Sequence, residues 1–277
     1  MTMANRIEER LQSARNGGVC ALLPYFTSGF PDLATTGKLI QAADSMGAAV
    51  VEIGVPYSDS IADGPVIQSS FNYALAHGHR VKNVFDVVRA VRPTIRAALA
   101  AMLSYSIVHR VGVDRFMAEA ASAGFHGLIL PDVPMEEADL LADAARSAGL
   151  CHIGLIAPTT SAARRERIAR YTTGFLYQIA ATGTTGERSA LPTTLADEVT
   201  EVRRHTDIPI CVGFGISTAE QVRAVGRIAD GVIVGSAIIR RIDAAMSAGA
   251  GSNAIVATVT EFLAELKGGL APSPPTG

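Results

Sequence analysis

The chain has 277 residues, of which 48% are hydrophobic and 18% charged, and its formal net charge is -2. That length and apolar content suit one large domain with a sizeable core, and the near-neutral balance excludes the strongly basic surface used by nucleic-acid and acidic-membrane binders. No apolar run reaches about 18 residues, and Arg6, Glu8, Glu9, Arg10 and Arg15 stand where a signal peptide needs apolar side chains, so a soluble cytoplasmic protein with a small-molecule partner is expected.

Hydrophobic periodicity divides the chain into alternating helices and strands. A leading helix is predicted at about Arg6–Ala14, then a strand at Ala21–Thr27, a helix at Leu33–Met46 and a strand at Ala49–Val55. Next come a helix at Asn83–Arg92, a strand at Ala98–Tyr105, a helix at Asp114–Ala123, a strand at Gly127–Val133 and a helix at Met135–Ala148. The second half reads as strands at His152–Ala157, Gly174–Ala181, Pro209–Gly215 and Gly231–Ala237, separated by helices at Ala162–Tyr171, Leu195–His205 and Thr218–Ile228. A last helix, Ala254–Lys267, precedes a Gly- and Pro-rich tail, Gly268–Gly277, that is expected to be disordered.

Continuous apolar strands alternating with amphipathic helices imply a parallel sheet covered by helices. Eight such units let the sheet close, so the expected fold is α/β, a single (β/α)8 TIM barrel over residues 1–267, with the extra N-terminal helix placed to cap its bottom. An open doubly wound sheet is the alternative, but no G-x-G-x-x-G follows the first strand. Cys20, Cys151 and Cys211 are odd in number, widely spaced and each at the start of an apolar run, which suits buried reduced thiols.

Barrel enzymes carry their reactive groups at the carboxyl ends of the strands and in the loops that follow. The second strand holds Glu52 within an apolar run, with no Lys or Arg nearby in sequence. Burial there raises a carboxyl pKa and keeps it a usable acid near neutrality. Asp59 and Asp63 follow in the loop, where turn formation is an equal reading for an Asp before Gly. Small residues at Gly213-Phe214-Gly215-Ile216-Ser217 and Gly235-Ser236-Ala237, and the stretch Thr182–Gly186, put flexible backbone at three neighbouring strand ends, the pattern of a phosphate site. The only lysines, Lys38, Lys82 and Lys267, lie on predicted helices or helix ends, so no Schiff-base lysine is in place. The six histidines are scattered, without a metal-ligand set. General acid–base work by carboxyls remains, with no metal and no cofactor expected.

The run EIGVPYSDSIADGPVIQ, Glu52–Gln68, resembles the signature of the tryptophan synthase alpha chain family. The likeness extends through Leu23–Thr27 with Gly29 and Pro31, Gly127–Pro134, Thr182–Gly186, Gly213–Ser217 and Gly235–Ile238. It implies retro-aldol cleavage of indole-3-glycerol phosphate to indole and glyceraldehyde 3-phosphate, with Glu52 as general acid/base and Asp63 facing the indole nitrogen. Carried over position by position, Tyr177 supports Glu52, Thr185 locks Asp63 when the loop closes, and Tyr25, Ile129, Leu155 and Phe214 contact the substrate. Gly186, Gly213, Gly215, Gly235 and Ser236 match the phosphate contacts.

A tryptophan synthase beta chain in an alpha2beta2 complex is the partner the resemblance implies. Two departures fall in regions that face that beta chain in the family complex. Ser60-Ile61 replaces Pro-Leu, and Ser106 stands where the family carries Asn. A stand-alone lyase releasing free indole, and a non-catalytic allosteric partner of a beta-type enzyme, are the other readings. A phosphosugar isomerase shares the phosphate rim, but the Asp that group carries at the end of its first strand is replaced by Tyr25-Phe26-Thr27.

Overall fold

A computed structural model describes residues 5–60, 63–180 and 191–270. Its elements run α1 (Arg6–Asn16), β1 (Ala21–Thr27), α2 (Leu33–Ser45), β2 (Val50–Gly54), α3 (Pro65–Ala76) and α4 (Val81–Val91), followed by a short 3-10 turn, Arg92–Thr94. They continue with β3 (Ala98–Met102), α5 (Tyr105–Val111), α6 (Val113–Ala123), β4 (Gly127–Ile129), α7 (Ala138–Ser147), β5 (Cys151–Ile153), β6 (Leu155–Ile156) and α8 (Ala162–Tyr171). The chain then forms β7 (Leu176–Ile179), α9 (Leu195–Arg203), β8 (Ile210–Gly213), α10 (Ala219–Gly226), β9 (Gly231–Val234), α11 (Ser236–Ser247) and α12 (Ser252–Lys267).

All strand pairs are parallel, in the order β5-β4-β3-β2-β1-β9-β8-β7-β6. The two ends of that order are joined by a single residue, Gly154: β5 pairs only with β4 and β6 only with β7. They are halves of one barrel strand, so the nine segments form the eight-stranded barrel expected from the sequence. The break at Gly154 has a steric cause. A β-carbon there would strike the Thr172 hydroxyl and come within 2.7 Å of Ile168 Cγ2, so the chain bends where α8 and its end press on it.

The strands are buried almost throughout, as the continuous apolar runs of a sheet covered on both faces require. Helix α1 closes the bottom: Ile7 and Leu11 are buried, and Ile7 occupies the space that a side chain at Gly127 would fill. Asn5 caps α1 by accepting from the Ile7 amide, and its own amide donates to the carbonyls of His126 and Gly149 at 2.8 Å each. The three cysteines are free and buried. Among the described residues no helix is long and apolar enough to cross a membrane. Gly269, in the tail, is buried against the backbone of Ala219; the tail beyond Leu270 lies outside the described residues.

Strand β1 matches its predicted bounds, Ala21–Thr27, but the other strands end earlier than the apolar runs predict. The run from Ala98 to Tyr105 is strand only to Met102, after which Ser104 caps α5 by accepting from the Ser106 amide. The run from Gly231 to Ala237 likewise ends at Val234, and α11 begins at Ser236. Helices α3, α5 and α11 were not expected from the sequence. Each starts within one to a dozen residues of a strand end, on the rim where function is sought.

Candidate active site

Glu52 sits in the middle of β2, in register with Tyr25 on β1 and Ala100 on β3. Its side chain points into the barrel and lines a cleft together with Tyr25, Asp63, Tyr177 and Phe214. Only 1% of Glu52 is exposed, and neither carboxyl oxygen meets a hydrogen-bond donor among the described residues. Burial therefore acts on it unopposed and pushes its pKa up to about 8. At neutral pH this carboxyl is mostly protonated, lines the cleft and has no acceptor for its proton among the described residues.

Asp63 reaches the same cleft from the loop after β2. The turn is closed by the Asp63 amide donating to the Ser60 carbonyl at 3.0 Å, and Tyr57 Oη donates to Asp63 Oδ2 at 3.3 Å. Burial raises the Asp63 carboxyl to about 6; the Tyr57 hydrogen bond opposes that rise and the charge of Asp132 adds to it. Tyr25 and Tyr177 are pushed well above the usual phenol range, mainly by burial and further by the charges of both carboxyls. They remain neutral hydroxyls beside the two acids. The two carboxyls thus differ: one is held protonated and the other is free to ionise below neutrality.

The floor of the cleft is shaped by small residues beneath large ones. The Tyr25 hydroxyl stands over Gly54 and the Tyr177 hydroxyl over Gly213, each where a β-carbon would collide with it. Tyr177 also meets Phe214 edge to face, with ring centroids 6.0 Å apart. Ile67, Met102, Ile216 and Ile233 supply the apolar wall, a surface suited to a flat aromatic group.

Opposite the carboxyls the rim is built of backbone. Phe214 has φ 80°, alone among the described non-glycine residues in the left-handed region, and Gly215 follows at φ 81°. Holding a bulky residue there costs on the order of 1–3 kcal/mol. The result is a tight turn in which the amides of Gly215 and Ile216 find no acceptor among the described residues. The amides of Ser236 and Ala237, at the start of α11, are equally free, and no side chain caps that helix. Gly215, Ile216, Ser236 and Ala237, with the positive end of the 12-residue helix α11, thus line the same cleft, an arrangement suited to an anion.

The structure brings together Glu52, Asp63, Tyr25, Tyr177, Phe214, Gly215, Gly235 and Ser236 as lining residues. Gly213 lies just beneath, under the Tyr177 ring. Ile129 and Leu155 are not in the cleft lining: Ile129 is buried in register with Met102, and Leu155 is half-buried in register with Tyr177. Thr185 and Gly186 lie outside the described residues. Ile67, Met102 and Ile233 were not singled out from the sequence, and Ile216 and Ala237 only as members of the small-residue stretches; as apolar residues at strand and loop ends they are indistinguishable from core until the strands are placed. Among the described residues no group of His, Cys, Asp and Glu is arranged to hold a metal.

A closed parallel barrel with acids and a backbone anion cradle at its carboxyl rim defines a β/α-barrel enzyme. Among such barrels the chain belongs to the tryptophan synthase alpha chain family, whose family model matches residues 11–269. A tryptophan synthase alpha chain from Rhodopirellula baltica is 44% identical over 239 residues, covering 85% of this chain and 86% of the relative. The solved tryptophan synthase subunit alpha from Legionella pneumophila superposes with a TM-score of 0.87 at 33% identity, covering 96% of this chain and 98% of that one. A chain of the tryptophan synthase a2b2 complex from Pyrococcus furiosus superposes with a TM-score of 0.83 at 34% identity, over 90% and 98% of the two chains.

Proposed function

We propose that the chain is the alpha subunit of a cytoplasmic tryptophan synthase, a carbon–carbon lyase that splits indole-3-glycerol phosphate into indole and glyceraldehyde 3-phosphate without metal or Schiff base. The observation that carries this reading is the pair of unlike carboxyls, Glu52 raised to about 8 and Asp63 to about 6, in one apolar cleft with a backbone anion cradle. The phosphate is held by the amides of Gly215, Ile216, Ser236 and Ala237, and the indole lies between Phe214 and the aliphatic wall.

Protonated Glu52 delivers its proton to indole C3, which breaks ring aromaticity and places positive charge on the ring nitrogen. Anionic Asp63, accepting a hydrogen bond from that N–H, stabilises the charge as it develops. The bond from C3 to the side-chain carbinol carbon then breaks. Its electrons restore the indole, the hydroxyl proton returns to Glu52, and the carbinol carbon leaves as the aldehyde of glyceraldehyde 3-phosphate. The acid is regenerated and the atoms balance. Tyr177, neutral and fixed over Gly213, supports Glu52 in this step.

The Pyrococcus furiosus neighbour belongs to an a2b2 complex, and a beta chain is the partner proposed here. The test is indole release from indole-3-glycerol phosphate by the purified chain, alone and with a tryptophan synthase beta chain. Slow release that rises sharply on adding the beta chain is expected. Fast release unaffected by the beta chain points to a stand-alone lyase, and no release in either case refutes the assignment.

A further inference from the structure

Helix α3 begins two residues after Asp63, at Pro65, and carries no group that lines the cleft except Ile67. Its inner face is nonetheless tied to both sides of the site. On one side Ser70 Oγ is 2.7 Å from Thr27 Oγ1, which is 3.3 Å from the Tyr25 hydroxyl; Ser70 also donates to the Ile67 carbonyl at 2.7 Å. Those three side chains are buried, and Phe71, fully buried, lies beside Gly54. Helix α3 is thereby fixed to the strand that stands in register with Glu52.

On the other side a single amide reaches back over the loop. Gln68 Nε2 donates to the carbonyl of Ser60 at 2.9 Å and to that of Asp63 at 2.8 Å. These two carbonyls bracket the turn that carries Asp63. A donor shared between two backbone acceptors at good distances constrains both the turn and the direction of the side chain at its end. The constraint matters here because residue 60 is Ser, whose φ is not fixed by a ring. No side chain caps α3 at Gly64, and among the described residues the Gln68 amide ties the carbonyls of Ser60 and Asp63 to that helix.

We propose that Gln68 is a positioning residue for the lyase reaction: its amide staples the loop to α3 and holds Asp63 at the height of the indole nitrogen, while Ser70 and Thr27 reference the same helix to the Glu52 side of the cleft. This rests on the reading of Asp63 as a reacting group. The phosphate cradle belongs to other elements, β8 to α10 and β9 to α11, and the hydrogen bonds of the Gln68 amide go to Ser60 and Asp63 instead. Loss of the staple therefore weakens turnover and leaves phosphate-end binding in place.

The experiment compares Gln68→Met, which keeps the side-chain length and removes the donor, and Gln68→Glu, which sets a carboxyl against two carbonyls. Turnover of indole-3-glycerol phosphate, its KM and the affinity for glycerol 3-phosphate are measured on the full chain, with Asp63→Asn alongside. For both Gln68 variants kcat is expected to fall at least tenfold, with Glu the worse, while KM and glycerol 3-phosphate affinity stay within about threefold. A kcat within twofold of the parent in Gln68→Met, with Asp63→Asn inactive, overturns the role of Gln68 and leaves the lyase reading standing. Parallel loss of kcat and of glycerol 3-phosphate affinity also overturns it, because it marks general unfolding. Full activity in Asp63→Asn overturns the reading of Asp63 as a reacting group and the role of Gln68 with it, whereas a parent chain without turnover overturns the lyase assignment itself.

Discussion

The hydroxyl of Tyr177 lies over the α-carbon of Gly213 so closely that a β-carbon there would overlap it. Tyr177 is buried and its ring is held by Phe214 at one edge, so it has little room to retreat. Gly213→Ala is expected to push the phenol toward the cleft, destabilising the fold by about 1–3 kcal/mol, the usual cost of overpacking. Steady-state kinetics are expected to show at least a tenfold loss in kcat/KM. Gly213→Ala combined with Tyr177→Phe, which removes the colliding oxygen, recovers part of the stability in thermal melts; no recovery would show that the clash lies elsewhere.

Glu52 gives a second expectation, in which activity and stability move in opposite directions. Its folded pKa of about 8 lies above the ordinary carboxyl value of 4.5, so its protonated form favours the native state. That contribution is complete below about 4.5 and is lost as pH rises toward 8. Glu52→Gln cannot ionise. It is expected to match the parent in stability at pH 4.5 and to exceed it increasingly up to pH 8, by a limit on the order of 4 kcal/mol. Turnover by the same variant falls by about 10²–10⁴, the usual loss for a general acid. Chemical denaturation at several pH values checks the first part; equal stability of the two proteins at pH 8.5 counts against a desolvated Glu52.

The same two groups set the pH profile. Asp63 must be anionic and Glu52 protonated, so kcat/KM is expected to rise through about 6 and fall above about 8. The Tyr57 hydroxyl favours the Asp63 carboxylate, so Tyr57→Phe moves the acid limb to higher pH and leaves the alkaline limb where it was. A pH profile in which both limbs move together, or neither, separates the acid limb from Asp63.

Much of this fold is legible in the sequence because the barrel depends on few rules. Continuous apolar runs name the strands, and the helix between Ala162 and Tyr171 matches its predicted bounds residue for residue. The rim is less legible for a physical reason. At Leu103–Ile107 and Val234–Ile239 apolar residues continue past the strand end into a helix that lines or flanks the cleft, and composition alone does not distinguish a strand end from a pocket wall. Glu52 stood out because a lone carboxyl in an apolar strand has no cheap structural explanation; its direction, inward or outward, is fixed only by the register with Tyr25. Thr27 and Ser70 carry no local signal, since their meaning is a contact between elements 43 residues apart in the chain; Gln68 closes the signature run, but its residue type does not announce the two carbonyls it reaches.

Two histidines away from the site, one buried and one half-buried, predict how the fold responds to acid. His152, on β5, is 1% exposed, packs edge to face on Tyr171 and has no hydrogen-bond partner for either ring nitrogen among the described residues. Burial lowers it to about 4. His126, beneath β4, accepts from the Leu99 amide at 3.0 Å and is likewise lowered to about 4, by burial and then by Arg92 and Arg6. Both are neutral when folded but take up a proton near 6.5 when unfolded. Their contribution is therefore intact above about 6.5 and is lost as pH falls toward 4, at about 2 kcal/mol each by pH 5. His152→Leu removes the titrating ring from an apolar site. It is expected to be within about 1 kcal/mol of the parent at pH 7.5 and more stable at pH 5. If denaturation midpoints at pH 5 coincide for the two proteins, His152 is hydrated in solution and acid sensitivity must come from His126 and the carboxylates.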